Sequence, residues 1–212
     1  MSAFAELQQR LGHAFRDENL LYLALTHPSV AHDANAPQPH NQRLEFLGDS
    51  VLGLTLAQAL YEKFPDADEG VLTKSRAKLV NAAALADHAR TLNLGAHLIL
   101  SRGEENTGGR DRASSLEDAF EAVVGAIYLD SDFATVRRIV LGWYGPLAAL
   151  LSSIEHTENP KGRLQELVQP RHGNDALRYE VTRIEGAPHE RKFEVQVFLH
   201  ESLLGTGSGK SK

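Results

Sequence analysis

The stretch NQRLEFLGDSVLGL, residues 41–54, has the apolar content of a buried helix yet carries two carboxylates, Glu45 and Asp49, one turn apart. At that spacing they share a helix face and repel, and no Lys or Arg stands three or four residues from either to relieve them. A second segment repeats the pattern. In SLEDAFEAVVGAIYLD, residues 115–130, Asp118 and Glu121 lie three apart, ahead of the apolar run Ala122–Leu129. Either pair alone reads as a solvated face, but two pairs in similar apolar settings point to a shared cation. Burial and mutual repulsion both oppose ionisation of four converging acids, and a divalent ion removes the conflict. Carboxylates and water without Cys or His suit Mg²⁺, with Mn²⁺ as a substitute, and Mg²⁺ is commonly shared with substrate phosphates. A carboxylate-bridged di-iron site would add Glu-x-x-His motifs, and neither acidic segment contains a His.

Working outward, 212 residues at 42% hydrophobic content form one sizeable domain, or one with a small companion. The absence of Cys excludes disulfides and thiolate zinc sites. The first twenty residues lack the apolar centre of a signal peptide, and no apolar run approaches the length of a membrane span. A cytoplasmic protein without membrane contact is expected. The net charge of −6 is uneven: after His156, nine Lys and Arg face eight acids, so the acidity lies in the first part. An acidic body is a poor match to nucleic acid, so any such contact needs local basic patches and the weakly basic tail.

Apolar residues recur at helical spacing in Leu20–Leu25, Leu44–Leu60, Val71–Leu94, Leu116–Leu129 and Val136–Leu151, which predicts an all-helical domain over residues 1–155. Polar turns with Pro or Gly separate these segments at 34–40, 65–70 and 103–112. HTENPKG, residues 156–162, breaks the pattern and reads as a linker, with Asn159 as a cap and Pro160 opening a short helix to about Val168. Beyond it, Leu177, Tyr179 and Val181, then Phe193, Val195, Val197 and Leu199, alternate with polar residues as in half-buried strands. A third short strand is predicted over Glu201–Gly205.

With these motifs in hand, NQRLEFLGDSVLGL resembles the signature of the ribonuclease III family of double-stranded-RNA endonucleases. ALTHPSVA (24–31), FPDADEG (64–70), TKSRAKLVN (73–81), TGGRDR (107–112) and EDAFEAVVGAIYLD (117–130) fit the family in order and spacing. The resemblance implies a mainly α fold: an all-helical endonuclease domain, 1–155, then a small α+β double-stranded-RNA-binding domain, 159–212. It makes Glu45, Asp49, Asp118 and Glu121 metal ligands, with Asp49 and Glu121 the leading catalytic residues, and Glu69 an auxiliary acid. It further implies a Mg²⁺-dependent two-metal hydrolysis by a homodimer, each subunit cutting one strand. Products would carry 5′-phosphate and 3′-hydroxyl ends with two-nucleotide 3′ overhangs, from ribosomal and other structured precursors.

In the tail, NPKGRLQELVQ is similar to the first helix of the family's RNA-binding domain and GAPHERKFEVQV to its loop and second strand. Gln165, Glu166 and His189 are then expected to touch successive minor grooves, reading A-form shape rather than sequence. Lys210 and Lys212 stand where the family has a lysine-rich turn opening a second helix. That last helix is expected to be missing, leaving the sheet partly uncovered and RNA affinity weakened. Lys74, Arg76, Lys78, Arg110 and Arg112 are candidate phosphate contacts, the first three equally readable as a solvated helix face. Two positions depart from the family pattern: Gln42 stands where a Glu is usual, as an uncharged auxiliary residue, and Ala113 replaces another common Glu. His27, in THPS, reads as a local cap or packing residue, and His40 and His88 suggest no chemistry. Two other readings compete: a non-catalytic dimeric RNA-binding scaffold, which would have shed one or more acids, and a nucleotide phosphohydrolase, which would need no duplex-binding tail.

Overall fold

α8 (Ala113–Asp130) is apolar on most of its circumference: Ala119, Phe120, Ala122, Val123, Val124, Ala126 and Ile127 are fully buried. A helix of that kind must be wrapped by others. α4 (Gln42–Lys63), α6 (Ala82–Thr91) and α2 (Glu18–Ala24) pack against it, and α9 (Phe133–Tyr144) folds back along it. The remaining helices of this unit are α1 (Ala5–Leu11), α3 (Val30–Asp33), α5 (Glu69–Leu79) and α7 (Arg102–Asn106), with a 3-10 turn at Leu94–His97. The computed structural model describes residues 4–33, 38–147, 149, 160–173, 175–186 and 192–209. The chain divides into two compact units, residues 1–148 and 149–212.

Buried polar groups fasten the helices of the first unit. Asp130, 4% exposed at the end of α8, accepts from the amides of Arg16 and Asp17, each at 3.0 Å, and pairs with His13 Nε2 at 2.9 Å. Asp17 then caps α2 by accepting from the Asn19 amide. Trp143 Nε1 donates to Leu11 O at 3.2 Å, and the Tyr144 hydroxyl to Leu79 O at 3.0 Å.

The sequence pattern and the structure differ at element ends. The apolar-periodic segment Val71–Leu94 is two helices, because the Asn81 side chain accepts from the Ala84 amide and caps a new start. The segment beginning at Val136 is interrupted after Tyr144, since Gly145 leaves the helix at φ 66°, and is helical again at Leu147. The polar stretch 103–112 opens with α7, capped by Ser101. α1 carries only Leu7 and Leu11 as buried residues, a pattern too sparse to mark a helix by periodicity.

The second unit consists, among described residues, of α10 (Pro160–His172) and an antiparallel sheet in the order β1 (Leu177–Glu185), β2 (Lys192–Leu199), β3 (Ser202–Gly209). Pro160 opens α10 as expected, while the helix runs on through Pro170 to His172. Tyr179, Val197 and Gly205 lie in register across the three strands, as do Val181, Val195 and Gly207. β3 is longer than its apolar pattern suggested because glycines alternate along it and leave no side chain to read. The sheet is only half-buried: Phe193, Val195, Val197 and Leu199 are partly covered, and Val181 and Ile184 are exposed.

Candidate active site

α4 and α8 cross with main chain against main chain. A Cβ at Gly48 would stand 1.8 Å from the Glu121 carbonyl oxygen, and one at Gly125 would stand 2.4 Å from that of Leu44. Only hydrogen fits at both positions. Glu45 and Asp49 flank Gly48 on one helix, and Glu121 lies one turn before Gly125 on the other, with Asp118 one turn further back. The crossing therefore sets both acidic pairs beside each other at the edge of the apolar contact.

Their electrostatics follow from that placement. Burial, then the charge of Asp49, followed by those of Glu117, Glu45 and Asp118, pushes Glu121 up to about 8. Burial lifts Glu45 as well, with Asp118, Glu117 and Asp49 adding to it. Burial also raises Asp118, opposed by His27. None of the four makes a hydrogen bond or ion pair among the described residues. No three His, Cys, Asp or Glu side chains there close around a single metal position. The acids thus share one electrostatic field rather than one preassembled coordination shell. Hard oxygen donors without a hydrogen-bonded basic partner, half-buried at Glu45, Asp118 and Glu121 and exposed at Asp49, fit a hard divalent cation in chemistry.

Two neighbours escaped the sequence reading. Glu117 lies one turn before Glu121 and is raised by burial and by Asp118; the four-residue spacing that singled out Glu45 and Asp49 would have found it. His27, read as a local cap, does accept from the Ser29 amide through Nδ1, but it also lies in the field of Asp118, 91 positions along the chain. No sequence spacing reveals that pairing.

The other candidate residues are dispersed. Gln42 is exposed on the first turn of α4. Glu69 lies at the start of α5, where its carboxylate accepts from the Thr73 hydroxyl at 3.0 Å and its charge does not figure in the field of the four acids. Lys74 and Arg76 are exposed on α5, and Lys78 is half-buried there. Arg110 and Arg112 already have partners. Arg110 donates to the carbonyls of Gly95 and Leu98 and pairs with Glu105, and Arg112 pairs with Glu104 and donates to Thr107. Gln165 is exposed on α10. The Glu166 side chain, Asn159, His189, Lys210 and Lys212 lie outside the described residues.

Residues 17–146 match the ribonuclease-III-like family model, and residues 160–212 match the double-stranded RNA binding motif. Ribonuclease 3 of Xylella fastidiosa (strain M23) is 46% identical over 212 residues, covering 100% of this chain and 90% of that protein. Ribonuclease 3 of Symbiobacterium thermophilum is 47% identical over 204 residues, 96% of this chain and 86% of that protein. Among solved structures, the nuclease domain of ribonuclease III from Campylobacter jejuni superimposes with a TM-score of 0.62 at 44% identity, covering 66% of this chain and 94% of that one. A helical nuclease unit with paired acids at a main-chain crossing, followed by a duplex-RNA-binding motif, places this chain in the ribonuclease III family of endoribonucleases acting on double-stranded RNA.

Proposed function

We propose that this chain hydrolyses double-stranded RNA with Glu45, Asp49, Asp118 and Glu121 as the ligands of Mg²⁺. The observation that carries the reading is the α4–α8 crossing, which sets four basic-partner-free carboxylates in one field. Divalent ions held there supply a water of lowered pKa and charge stabilisation for the departing 3′ oxygen. The protein's own share is to keep Glu45, Asp118 and Glu121 half-buried, with Asp49 open to solvent beside them, so that ion and phosphate meet in a region of reduced dielectric. Glu121 gives up its proton on loading, because its pKa of about 8 leaves it largely protonated at neutral pH.

A homodimer is the assembly that best fits the surface. Phe46, Leu54 and Tyr61 lie on one face of α4 and are 78%, 57% and 73% exposed. A groove of about 580 Å³ opens there between Leu54, Tyr61, Leu72 and Arg76, and Glu69 lines it. Large apolar side chains aligned in this way mark an interface rather than a solvated face. The C. jejuni nuclease domain is described as having a region involved in dimer formation. With a second copy on this face, Glu69 and Gln42 would serve as auxiliary residues at the edge of the joint site.

Each subunit would cut one strand, leaving 5′-phosphate and 3′-hydroxyl ends with two-nucleotide 3′ overhangs. The substrates would be ribosomal and other structured precursors in the cytoplasm. Residues 1–155 would be the catalytic part and 159–212 the duplex-binding part, with Gln165, Glu166 and His189 toward the minor grooves. Of the basic residues on the first unit, Lys74 and Arg76 are the better placed to meet phosphates, since Arg110 and Arg112 already have partners. Glu121→Gln is expected to bind duplex RNA as the wild type does and to lose cleavage in Mg²⁺ by at least about a thousandfold, the scale of removing a group that acts in the transition state. Cutting of a labelled duplex by that variant at near wild-type rate would rule the assignment out.

A further inference from the structure

The segment 94–99 is gripped on two flanks, and each grip leads to the start of an acid-bearing helix. On one flank the Ile99 amide donates to Leu25 O and the Ile99 carbonyl accepts from the His27 amide, each at 2.9 Å, around the isolated parallel bridge between Ile99 and Thr26. Thr26 O then accepts from the Asn41 amide at 2.9 Å, and Asn41 O accepts from the amides of Leu44 and Glu45 in the first turn of α4. Asn41 is fully buried, so this junction is internal. On the other flank a single nitrogen of half-buried Arg110, Nη1, donates to the carbonyls of both Gly95 and Leu98, at 2.9 and 2.8 Å. Its Nε pairs with Glu105 at 2.6 Å. The Arg110 carbonyl lies so close to Gly95 that a Cβ there would stand 2.6 Å from it and 3.4 Å from the Leu116 side chain. Two residues further on, Arg112 is the N-cap of α8, and its carbonyl accepts from the Leu116 amide at 3.1 Å.

The Gly48–Gly125 crossing fixes how far apart α4 and α8 lie, but contact around one point leaves the angle between two helices open. A second attachment away from that point closes it. Asn41 and Arg112 stand about 10 and 20 Å along their helices from Gly48 and Gly125. Glu45 lies between the tied end and the crossing on α4, as Asp118 and Glu121 do on α8. We infer that Arg110 is a positioning residue for the cation site. By drawing the carbonyls of Gly95 and Leu98 onto one guanidinium nitrogen, it fastens the start of α8 to the segment that also holds the start of α4. It thereby sets the angle at which the two acidic pairs face each other. Mg²⁺ tolerates little departure from octahedral ligand placement, so a loosened angle reads out as lost affinity. An arginine committed to two carbonyls and a carboxylate is not the phosphate contact that its charge suggests. The inference rests on the four acids being ligands, as proposed above.

The test is Mn²⁺ binding to the full chain without substrate, read by electron paramagnetic resonance well below the unfolding temperature. Arg110→Met keeps an unbranched stem and removes every donor, and should bind Mn²⁺ about tenfold more weakly, the lower end of what losing an orienting partner costs. Arg110→Lys restores one nitrogen able to donate to both carbonyls and should recover most of that loss. Glu105→Ala removes only a solvent-facing ion pair and should leave binding unchanged. The slope of duplex-RNA affinity against salt, measured without divalent ions, should be the same in Arg110→Met as in the wild type. A lower Tm in Arg110→Met with Mn²⁺ affinity intact makes the clamp merely structural and overturns the inference. Equal loss in Glu105→Ala overturns it too, as does a salt slope reduced by about one, the mark of a lost phosphate contact. Wild-type Mn²⁺ binding by Asp118→Asn sinks the site assignment itself, whereas loss there with none in Arg110→Met sinks only the role of Arg110. Should Arg110→Met not fold, Gly95→Ala presses on the same junction from the other side, because its methyl meets the Arg110 carbonyl. Undiminished Mn²⁺ binding in that variant overturns the inference.

Discussion

At the scale of single residues, Glu121 is held at about 8 by burial and then by Asp49, Glu117, Glu45 and Asp118. In the unfolded chain it ionises near the ordinary value of 4.5. Between those two values the folded protein binds more protons than the unfolded one, so Glu121 makes the metal-free protein less stable as pH rises from about 4.5 to about 8. Urea unfolding at several pH values should show that decline, and Glu121→Gln should flatten it; an unchanged pH slope in the variant would refute the shift. Asp130 works in the opposite sense. Burial alone would raise it, but hydrogen bonds from the Asp17 and Arg16 amides and from His13 hold it below the usual aspartate value. Its stabilisation is present at neutral pH and is lost as pH falls through that lowered value. Asp130→Ala strands two amides and His13 without an acceptor, for an expected loss of about 3 kcal/mol, measurable as a fall in Tm.

At the scale of elements, the α4–α8 crossing decides whether the acids meet. The atom that a Cβ at Gly48 would strike is the backbone oxygen of Glu121, which cannot rotate away, so Gly48→Ala must push the helices apart. The expected destabilisation is at or above the about 1–3 kcal/mol typical of overpacking. Divalent-ion binding should weaken as well, because Glu45 and Asp49 move with α4. Retention of wild-type stability and Mn²⁺ affinity by Gly48→Ala would contradict that account. The helices themselves were legible in the sequence, since the 3.6-residue recurrence of Leu44–Leu60 and Leu116–Leu129 reports which face is buried. The pairing of Glu45 with Asp49 could be read from spacing alone. Element ends were less legible, because Asn81 splits Val71–Leu94 through a side-chain cap that leaves the apolar period undisturbed. That His27 feels the charge of Asp118 could not be read in advance, since 91 positions separate them and no local periodicity links them.

At the scale of the whole molecule, the proposed homodimer would join through the exposed stripe on α4. Tyr61→Asp would put a charge beside Leu54 and Leu72 in the groove and, on the proposed reading, should yield monomers in sedimentation at concentrations where the wild type dimerises. A dimer that survives this change would move the interface elsewhere. The Gly48–Gly125 contact reaches further than the stability of one helix pair. Where backbone rests on backbone, the span between the two acidic ledges is set by peptide geometry, which substitutions away from Gly48 and Gly125 do not trim. On the proposed reading, ions of different radius would be met by torsions of the carboxylates, and a preference among alkaline-earth ions would be set by the main chain.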